Sequence, residues 1–393
     1  MLANYVIGQE NDMVSKHRTG FVIRLRKLCF STSKQGITVL IAAFLAGCTN
    51  VNPYYDASKK HHRPDGFNNN HIDNWSKDQP SFFEWQRSRW TTPLPAQNVS
   101  RVKVAVPDLA YLKANRHDVS VTWIGHSTVL WQLNGLNILT DPHFSERASP
   151  VSFAGPRRDV ILPLQLHDLP RIDVVLISHN HYDHLDISTV KELNRQPGGS
   201  PLFIVPLGLD LWLKQQGITN VQRMDWWDRH DIAAPDGNVS IHFVPAQHWS
   251  NRTLWDRNAT LWGGFVAQGT TNKAPYSMFF AGDTGYSKDY SDIGAKFGGF
   301  DFSQIPVGCY LPRWFMRNQH VNEEEAVQIH IDVKSKLSMG VHWGTFRLCD
   351  DPIDAPIDEL PKARSKLAVD EDSFVLFSLG ETRVLSRPEQ SLP

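Results

Sequence analysis

The stretch "IDVVLIS", residues 172–178, is apolar at nearly every position and rich in β-branched side chains. That pattern predicts a strand covered on both faces, as in the interior of a layered sheet. Upstream, "VSVTWIGHSTVLWQLNGLNILTD" holds two strand-like runs parted by Asn134-Gly135, a dipeptide that turns a hairpin. Further strands are predicted at "VSIHFVPA", "LWGGFVA", "YSMFFAG", "FSQIPVG", "LSMGVH" and "SFVLFSL". Helices fit "DISTVKELN", "LDLWLKQQG", "EEEAVQIHIDV" and "LPKARSKL", the third opened by a capping-box pair, Asn322 and Glu325. Strands and helices mix over residues 101–393 without a regular βαβ beat, which predicts one α/β domain built as a layered sandwich.

The segments before residue 101 read differently. Residues 48–100 are polar, rich in Pro, Asn, His and Trp, and weakly periodic, so they predict a tether and an N-terminal arm lying on the domain. Ahead of them, Arg24, Arg26, Lys27 and Lys34 precede the apolar run Ile37 to Gly47. A basic region, an apolar stretch of about 7–15 residues and small residues at its end make a secretory signal. The run is short of the roughly 20 residues a bilayer span needs. "LAGC" also resembles the lipobox of bacterial lipoproteins. That resemblance implies a signal peptide over residues 1–47 and lipidation of Cys48. The mature chain would then be anchored in the cell envelope, in the outer membrane facing the periplasm. Net charge is −1, and removing the basic leader makes the rest more acidic, which argues against a nucleic-acid partner. Cys309 and Cys349 would remain either paired or as two small buried side chains; spacing alone leaves both open.

Candidate chemistry follows the predicted central strand. In "LISHNHYDHLDIS", His179, His181, Asp183 and His184 form H-x-H-x-D-H. Two histidines two apart in extended chain point the same way and can share one ion, while a turn after them lets Asp183 and His184 face a second. Imidazole with carboxylate suits zinc best, and iron and manganese also accept such donors. Four ligands cannot complete two ions. "FVPAQHWS", "MFFAGDTG" and "LSMGVHWGTF" bring His248, Asp283 and His342 to predicted strand ends, with Gly282 and Gly285 allowing close backbone approach beside Asp283. His126 in "GHST" also follows a strand and is a candidate for contact with substrate or for holding a ligand from behind. His61, His62, His71, His117 and His167 fall outside the order and read as surface or core histidines. Asp186 and Asp141 are alternative partners for the outer nitrogen of a ligand histidine.

The order H-x-H-x-D-H, His, Asp, His resembles the metallo-β-lactamase superfamily, whose fold is an αββα sandwich. By that resemblance His179, His181 and His248 would bind one zinc, Asp183, His184 and His342 the other, and Asp283 would bridge them. "TWIGHSTVL", "DPHFSERASPVSFAGPRR", "SHNHYDHLD", "PRWFMRNQHVNEEEAVQIH" and "GVHWGTF" narrow the likeness to the N-acyl-phosphatidylethanolamine-hydrolysing phospholipase D family. What that family implies is two Zn2+ ions, a homodimer, and cleavage of a phospholipid to phosphatidic acid and an N-acylethanolamine. Gln319 and His320 match a position beside the metals, where His320 would orient substrate or protonate the leaving oxygen; the residues alone leave a core or surface role equally open. Asp183 and Asp283, with His320, are the candidate catalytic groups, and Gln319, His320 and His126 the candidate substrate contacts. The lipoprotein leader departs from animal members, so natural substrate and location do not carry over. A lactonase or carboxylic-ester hydrolase on the same metals, and a non-catalytic metal-binding envelope lipoprotein, are the competing readings.

Overall fold

All twelve residues of the two strands flanking His126 and Ser127 are buried, so their apolar side chains must be covered from both sides. The computed structural model describes residues 51–72, 82–270 and 275–385; the expected signal peptide over residues 1–47 and the expected lipidation site Cys48 lie outside the described residues. In the arm, β1 (His62–Arg63) and β2 (Gly66–Phe67) form a short antiparallel ladder. The main domain continues with β3 (Ser120–Gly125), β4 (Thr128–Leu133), β5 (Leu136–Thr140), β6 (Val174–Leu176), β7 (Leu202–Pro206) and β8 (Val221–Met224). Next come β9 (Arg229–Ala234), β10 (Gly237–Val244), β11 (Gly264–Thr270), β12 (Tyr276–Phe280), β13 (Phe302–Pro306), β14 (Ser338–Val341), β15 (Phe374–Val375) and β16 (Thr382–Val384). Two seven-stranded sheets result, in the orders β16-β3-β4-β5-β6-β7-β8 and β15-β14-β13-β12-β11-β10-β9. Within them β5 to β8 and β12 to β15 run parallel, and the remaining pairs are antiparallel.

The period of two along β4 shows how the layers form. Trp131 faces the other sheet, packing in one cluster with Ile138, Val174 and Leu176 and with Phe243, Phe265, Met278 and Ile305 opposite. Leu130 faces outward with Leu139 and Val175, under Val190, Leu193 and Leu213. The last three belong to helices α3 (Ile187–Asn194) and α4 (Leu209–Gln215), which follow α1 (Phe82–Thr91) and α2 (Leu109–Ala114). The second sheet is covered by α5 (Asp289–Phe297) and α7 (Glu323–Asp332), with α6 (Arg313–Met316) before α7 and α8 (Ala355–Leu367) after it. The layers are αββα, as expected. Each large apolar side chain buried this way contributes about 1.5–3 kcal/mol, so the sandwich can carry a polar site at its rim. None of the described helices is long and apolar enough to cross a membrane.

Two local expectations change. The run before Asn134 is two strands, broken where His126 takes φ of +52°. "SFVLFSL" supplies only the two strand residues Phe374 and Val375. The hairpin at Asn134-Gly135 forms, both residues having the positive φ that a primed turn requires.

Candidate metal centre

The loop from His179 to Asp186 leaves the carboxyl end of β6 and enters α3, whose N-cap is Asp186. A tight turn, in which the N–H groups of His184 and Leu185 both donate to the His181 carbonyl, swings Asp183 and His184 beside His179. Arg252 fastens the loop from outside. Its Nη1 donates to the carbonyls of Asn180 (2.8 Å) and Leu185 (2.9 Å), and its guanidinium lies 4.0 Å above the Tyr182 ring. The distant members arrive at other strand ends. His248 lies four residues past β10, Asp283 three past β12, and His342 directly past β14. A Cβ on Gly282 would stand 2.6 Å from the Gly263 carbonyl, and one on Gly285 2.4 Å from that of Asn318. Glycine at these two positions lets the Asp283 turn seat. His342 is held at φ +63°, a strained setting for a non-glycine residue of the kind concentrated at functional sites.

The structure brings all seven sequence candidates together, with His126 and His320 beside them. His181 Nδ1 lies 2.9 Å from His179 Nε2 and 3.3 Å from His248 Nε2. Asp183 Oδ2 is 3.1 Å from His184 Nε2, 3.3 Å from His342 Nε2 and 2.9 Å from His126 Nε2. Asp283 Oδ2 sits between the two groups: 3.1 Å from His184 Nε2, 3.0 Å from His342 Nε2, and 3.9 Å from each of His179 and His248. His320 Nδ1 is also 3.9 Å from that oxygen.

Protonation follows burial and charge. Burial pushes the His179 imidazole well below its ordinary range and takes His181 and His248 down to about 3, leaving each neutral with a lone pair to give. Burial also acts on His184 and His342, but the Asp283 and Asp183 carboxylates outweigh it, lifting His184 well above and His342 to about 9. Two inward atoms have no hydrogen-bond partner although buried: Asp283 Oδ1 and His320 Nδ1. Three neutral imidazoles, two more imidazoles whose protons stand where a cation's charge would, and two carboxylates, all converging at 3–4 Å, are the donor set of a divalent cation. The residues therefore fit metal ions.

Outer atoms of the same side chains are held, as metal ligands require. His184 Nδ1 donates to Asp141 (2.6 Å), whose carboxylate also accepts from the Ser178 hydroxyl (2.6 Å) and N–H (2.7 Å). Ser178 Oγ in turn lies 2.9 Å from His179 Nδ1, and His248 Nδ1 donates to the Gln319 carbonyl at 2.9 Å. Of the two acids left open by sequence, Asp141 backs a ligand, while Asp186 caps α3 and accepts from the Ser145 N–H. Asp141 carried a signal, since it ends a strand as the ligands do. Ser178 and Asn69, which bonds the His248 backbone, were missed; neither residue type belongs to a recognisable spacing.

Above the ligands lies a cavity of about 550 Å3. His181, Asp183, Asp283, His320 and His342 line it at one end, and Phe82, Trp85, Trp249, Leu254, Phe315 and Met316 supply apolar wall. Cys309 and Cys349, joined in a disulfide with Cα atoms 4.9 Å apart, form part of that wall. His126 is 1% exposed and lies behind Asp183, packed against the His342 ring at 4.1 Å. Gln319 lines the cavity, but its amide is engaged locally by Met316 Sδ, and its carbonyl serves His248.

Residues 136–343 match the family described as Beta-lactamase superfamily domain. The chain is 40% identical over 272 residues to N-acyl-phosphatidylethanolamine-hydrolyzing phospholipase D 1 of Caenorhabditis elegans, covering 66% of this chain and 74% of that one. It is 37% identical over 241 residues to the mitochondrial N-acyl-phosphatidylethanolamine-hydrolyzing phospholipase D of Saccharomyces cerevisiae, covering 61% of this chain and 50% of that one. The fold is similar to that of isothiocyanate hydrolase from Delia radicum gut bacteria, with a TM-score of 0.53 at 22% identity over 67% of this chain and 98% of the other.

Proposed function

The chain belongs to the β-lactamase superfamily domain family, and from that membership we propose that it is a metal-dependent phosphodiesterase acting on N-acyl-phosphatidylethanolamine-type phospholipids. The observation that carries this reading is Asp283. Its carboxylate stands between the His179–His181–His248 group and the Asp183–His184–His342 group, at the floor of an apolar-walled cavity. One cation, zinc by donor type, would be held by each group, with Asp283 shared. Two such ions supply Lewis acidity that activates water as the nucleophile and offsets charge gathering on the phosphoryl oxygens.

The chain's own residues do the rest. Water oxygen forms the new bond to phosphorus, and the bond to the ethanolamine oxygen breaks; that oxygen takes up a proton, giving phosphatidic acid and an N-acylethanolamine. His320, with a free Nδ1 at the cavity wall, orients the departing oxygen. Trp85, Trp249, Phe315 and Met316 exclude water and offer contact to acyl chains, and Arg257, whose guanidinium lies 4.7 Å from the Trp249 ring, lines the same cavity and would offer its charge to the phosphate. Leu254 is 87% exposed at the cavity wall, next to Trp255, and Phe83 lies beside Phe82; these apolar side chains suit the surface of a bilayer. A lipid on Cys48 would keep enzyme and substrate in the same membrane.

The test is the purified mature protein, its metal content measured, incubated with N-acyl-phosphatidylethanolamine and separately with lactones. Release of N-acylethanolamine, abolished in Asp283→Asn, is expected. Turnover of lactones alone would overturn the phospholipid reading in favour of a lactonase.

A further inference from the structure

We propose that the N-terminal arm is part of the metal centre, and that Asn69 is the positioning residue through which it acts on His248. The inference rests on His248 being a metal ligand. His248 lies beyond the end of β10, directly after the single bridge that Gln247 makes with Gly285, and its own peptide groups take no part in a sheet ladder. It is nonetheless fully buried, and its peptide groups need partners. One side-chain amide supplies both. The His248 N–H donates to Asn69 Oδ1 at 2.9 Å, and Asn69 Nδ2 donates to the His248 carbonyl at 2.9 Å. Asn69 Oδ1 also accepts from Trp262 Nε1 at 3.1 Å, which sets the plane of the amide.

A primary amide presents a donor and an acceptor side by side in one rigid plane, so the contact imitates a strand pair around a single residue. With the peptides on both sides pinned, and Nδ1 held by the Gln319 carbonyl, the His248 ring can turn little. Its Nε2 is thereby kept 3.3 Å from His181 Nδ1 and 3.9 Å from Asp283 Oδ2.

The arm itself is fastened on either side of this contact. Asn70 Nδ2 donates to Asp289 Oδ1 at 2.8 Å. Nearer the N-terminus, Lys59, His61 and His62 converge on Asp225, the histidines at 2.7 and 2.9 Å, and Trp226 stacks on His61. Between these ties the Phe67 N–H donates to the Asn258 carbonyl. Asn69 thus reaches the ligand from a docked segment that lies well before residues 136–343, the part that matches the superfamily.

A merely structural asparagine would affect folding but not one ion in particular, so the readout is metal binding. Metal-free full-length protein is titrated with Co2+ and its d–d absorption followed. Wild type is expected to take two equivalents. Asn69→Ala should keep one equivalent tight and weaken the other by about 10–100-fold, the range typical of losing a group that orients a ligand, with an altered spectrum for the weakened ion. Asn69→Asp, which retains the acceptor but faces the His248 carbonyl with a second oxygen, should show the same loss at or above tenfold. Asn70→Ala removes an arm contact without touching His248 and should titrate as wild type. Two unchanged equivalents in Asn69→Ala overturn the inference, as does equal weakening in Asn70→Ala. Should Asn69→Ala not fold, Asn69→Asp decides by the same criterion. A wild type that takes up no cobalt would overturn the metal reading and this inference with it; normal uptake with an unaffected Asn69 variant overturns this inference alone.

Discussion

The arm and the metal centre each gather buried histidines around aspartate, and the two clusters behave in opposite ways. In the arm cluster, every inward atom is partnered. Asp225 Oδ1 accepts from His61 and from the Trp226 N–H, Oδ2 accepts from His62 and Lys59, and His62 Nδ1 is bonded to the Tyr54–Asp56 backbone. Burial pushes the Asp225 carboxyl up, but the hydrogen bonds from His61 and Lys59 overcome it and hold the group below the ordinary carboxylate range. In the metal centre the same residue types meet with inward atoms unpaired, among them Asp283 Oδ1 and His320 Nδ1. A satisfied cluster is a clamp, and the ammonium of Lys59 already fills the place a cation would take. An unsatisfied one at equal burial is costly unless an ion completes it. Residue type alone therefore does not separate the two; the accounting of partners does.

The sharpest way to break this comparison is to neutralise the aspartate in each. Asp283→Asn should lower hydrolysis by at least about 1,000-fold, or ~4 kcal/mol of barrier, and reduce bound metal, with the apo fold kept. Asp225→Ala should instead lower stability by roughly 3 kcal/mol, since it strands Lys59 and two buried histidines. Activity per folded molecule should stay within about tenfold, because Asn69 and Asn70 keep their own bonds. Urea unfolding and metal analysis of both variants check this; loss of both ions from Asp225→Ala would erase the distinction.

The same contrast explains how much could be read in the sequence. The ligand set was legible because four of its members share one short motif and the other three follow strand ends. His61 and His62 fall outside that order, and their clamp on Asp225 has no local signal, since the partners are more than 160 positions apart. The hairpin at Asn134-Gly135 and the capping box at Asn322 rest on local chemistry and could be read directly. That a strand ends before His126 was legible, but the restart at Thr128 as a separate strand was not, because β3 and β4 are buried on both faces and carry no alternation to part them. Strands β8, β9 and β16, which are short or half-exposed and polar, left no apolar run, and α5 opens with aspartates that read as loop. "PLFIVP" was an apolar run that went unread, although it forms β7 inside the sheet. The pairing of Cys309 with Cys349 depends on two loops meeting at the cavity, which spacing could not decide.

A smaller effect tests whether partner accounting also grades the atoms behind the ligands. Asp141 is fully buried, and burial raises its carboxyl, with the His184 and Ser178 bonds opposing that only in part. It has no cation of its own other than what His184 carries. Asp141→Asn keeps size but offers His184 and the Ser178 hydroxyl a weaker acceptor. The expected result is a 10–100-fold loss of metal affinity, about 1.4–2.7 kcal/mol, read by competition with a chelator. A loss as large as that of Asp283→Asn would mean that Asp141 itself ligates.

Glu323 supplies a third solution for a buried acid, and the smallest effect. It is 4% exposed, and its Oε1 has no partner. Neither a clamp of cations nor a set of metal ligands surrounds it among the described residues; Asp351, Glu359 and Lys362 are its charged neighbours, with the Tyr310 hydroxyl beside it. Burial is the main cause that pushes its carboxyl up to about 8 from 4.5, and the negative Asp351 adds to the rise. The folded state thus binds a proton that the unfolded chain has already released. Its contribution is full below the unfolded value and is lost as pH rises toward the folded one, so stability falls through that window. Between pH 6 and 7 the wild type should lose about 1 kcal/mol more than Glu323→Gln, which carries the neutral shape permanently. Urea unfolding at the two pH values measures the difference, and the opposite sign belongs to Asp225, read by comparing wild type with Asp225→Ala as pH falls below the ordinary carboxylate range. Asp225 is held ionised when folded, so its help is present above the unfolded carboxylate range and lost only in acid. Parallel pH slopes for wild type and Glu323→Gln would show that Glu323 is ionised in the folded protein, and would place it with the clamped acids instead.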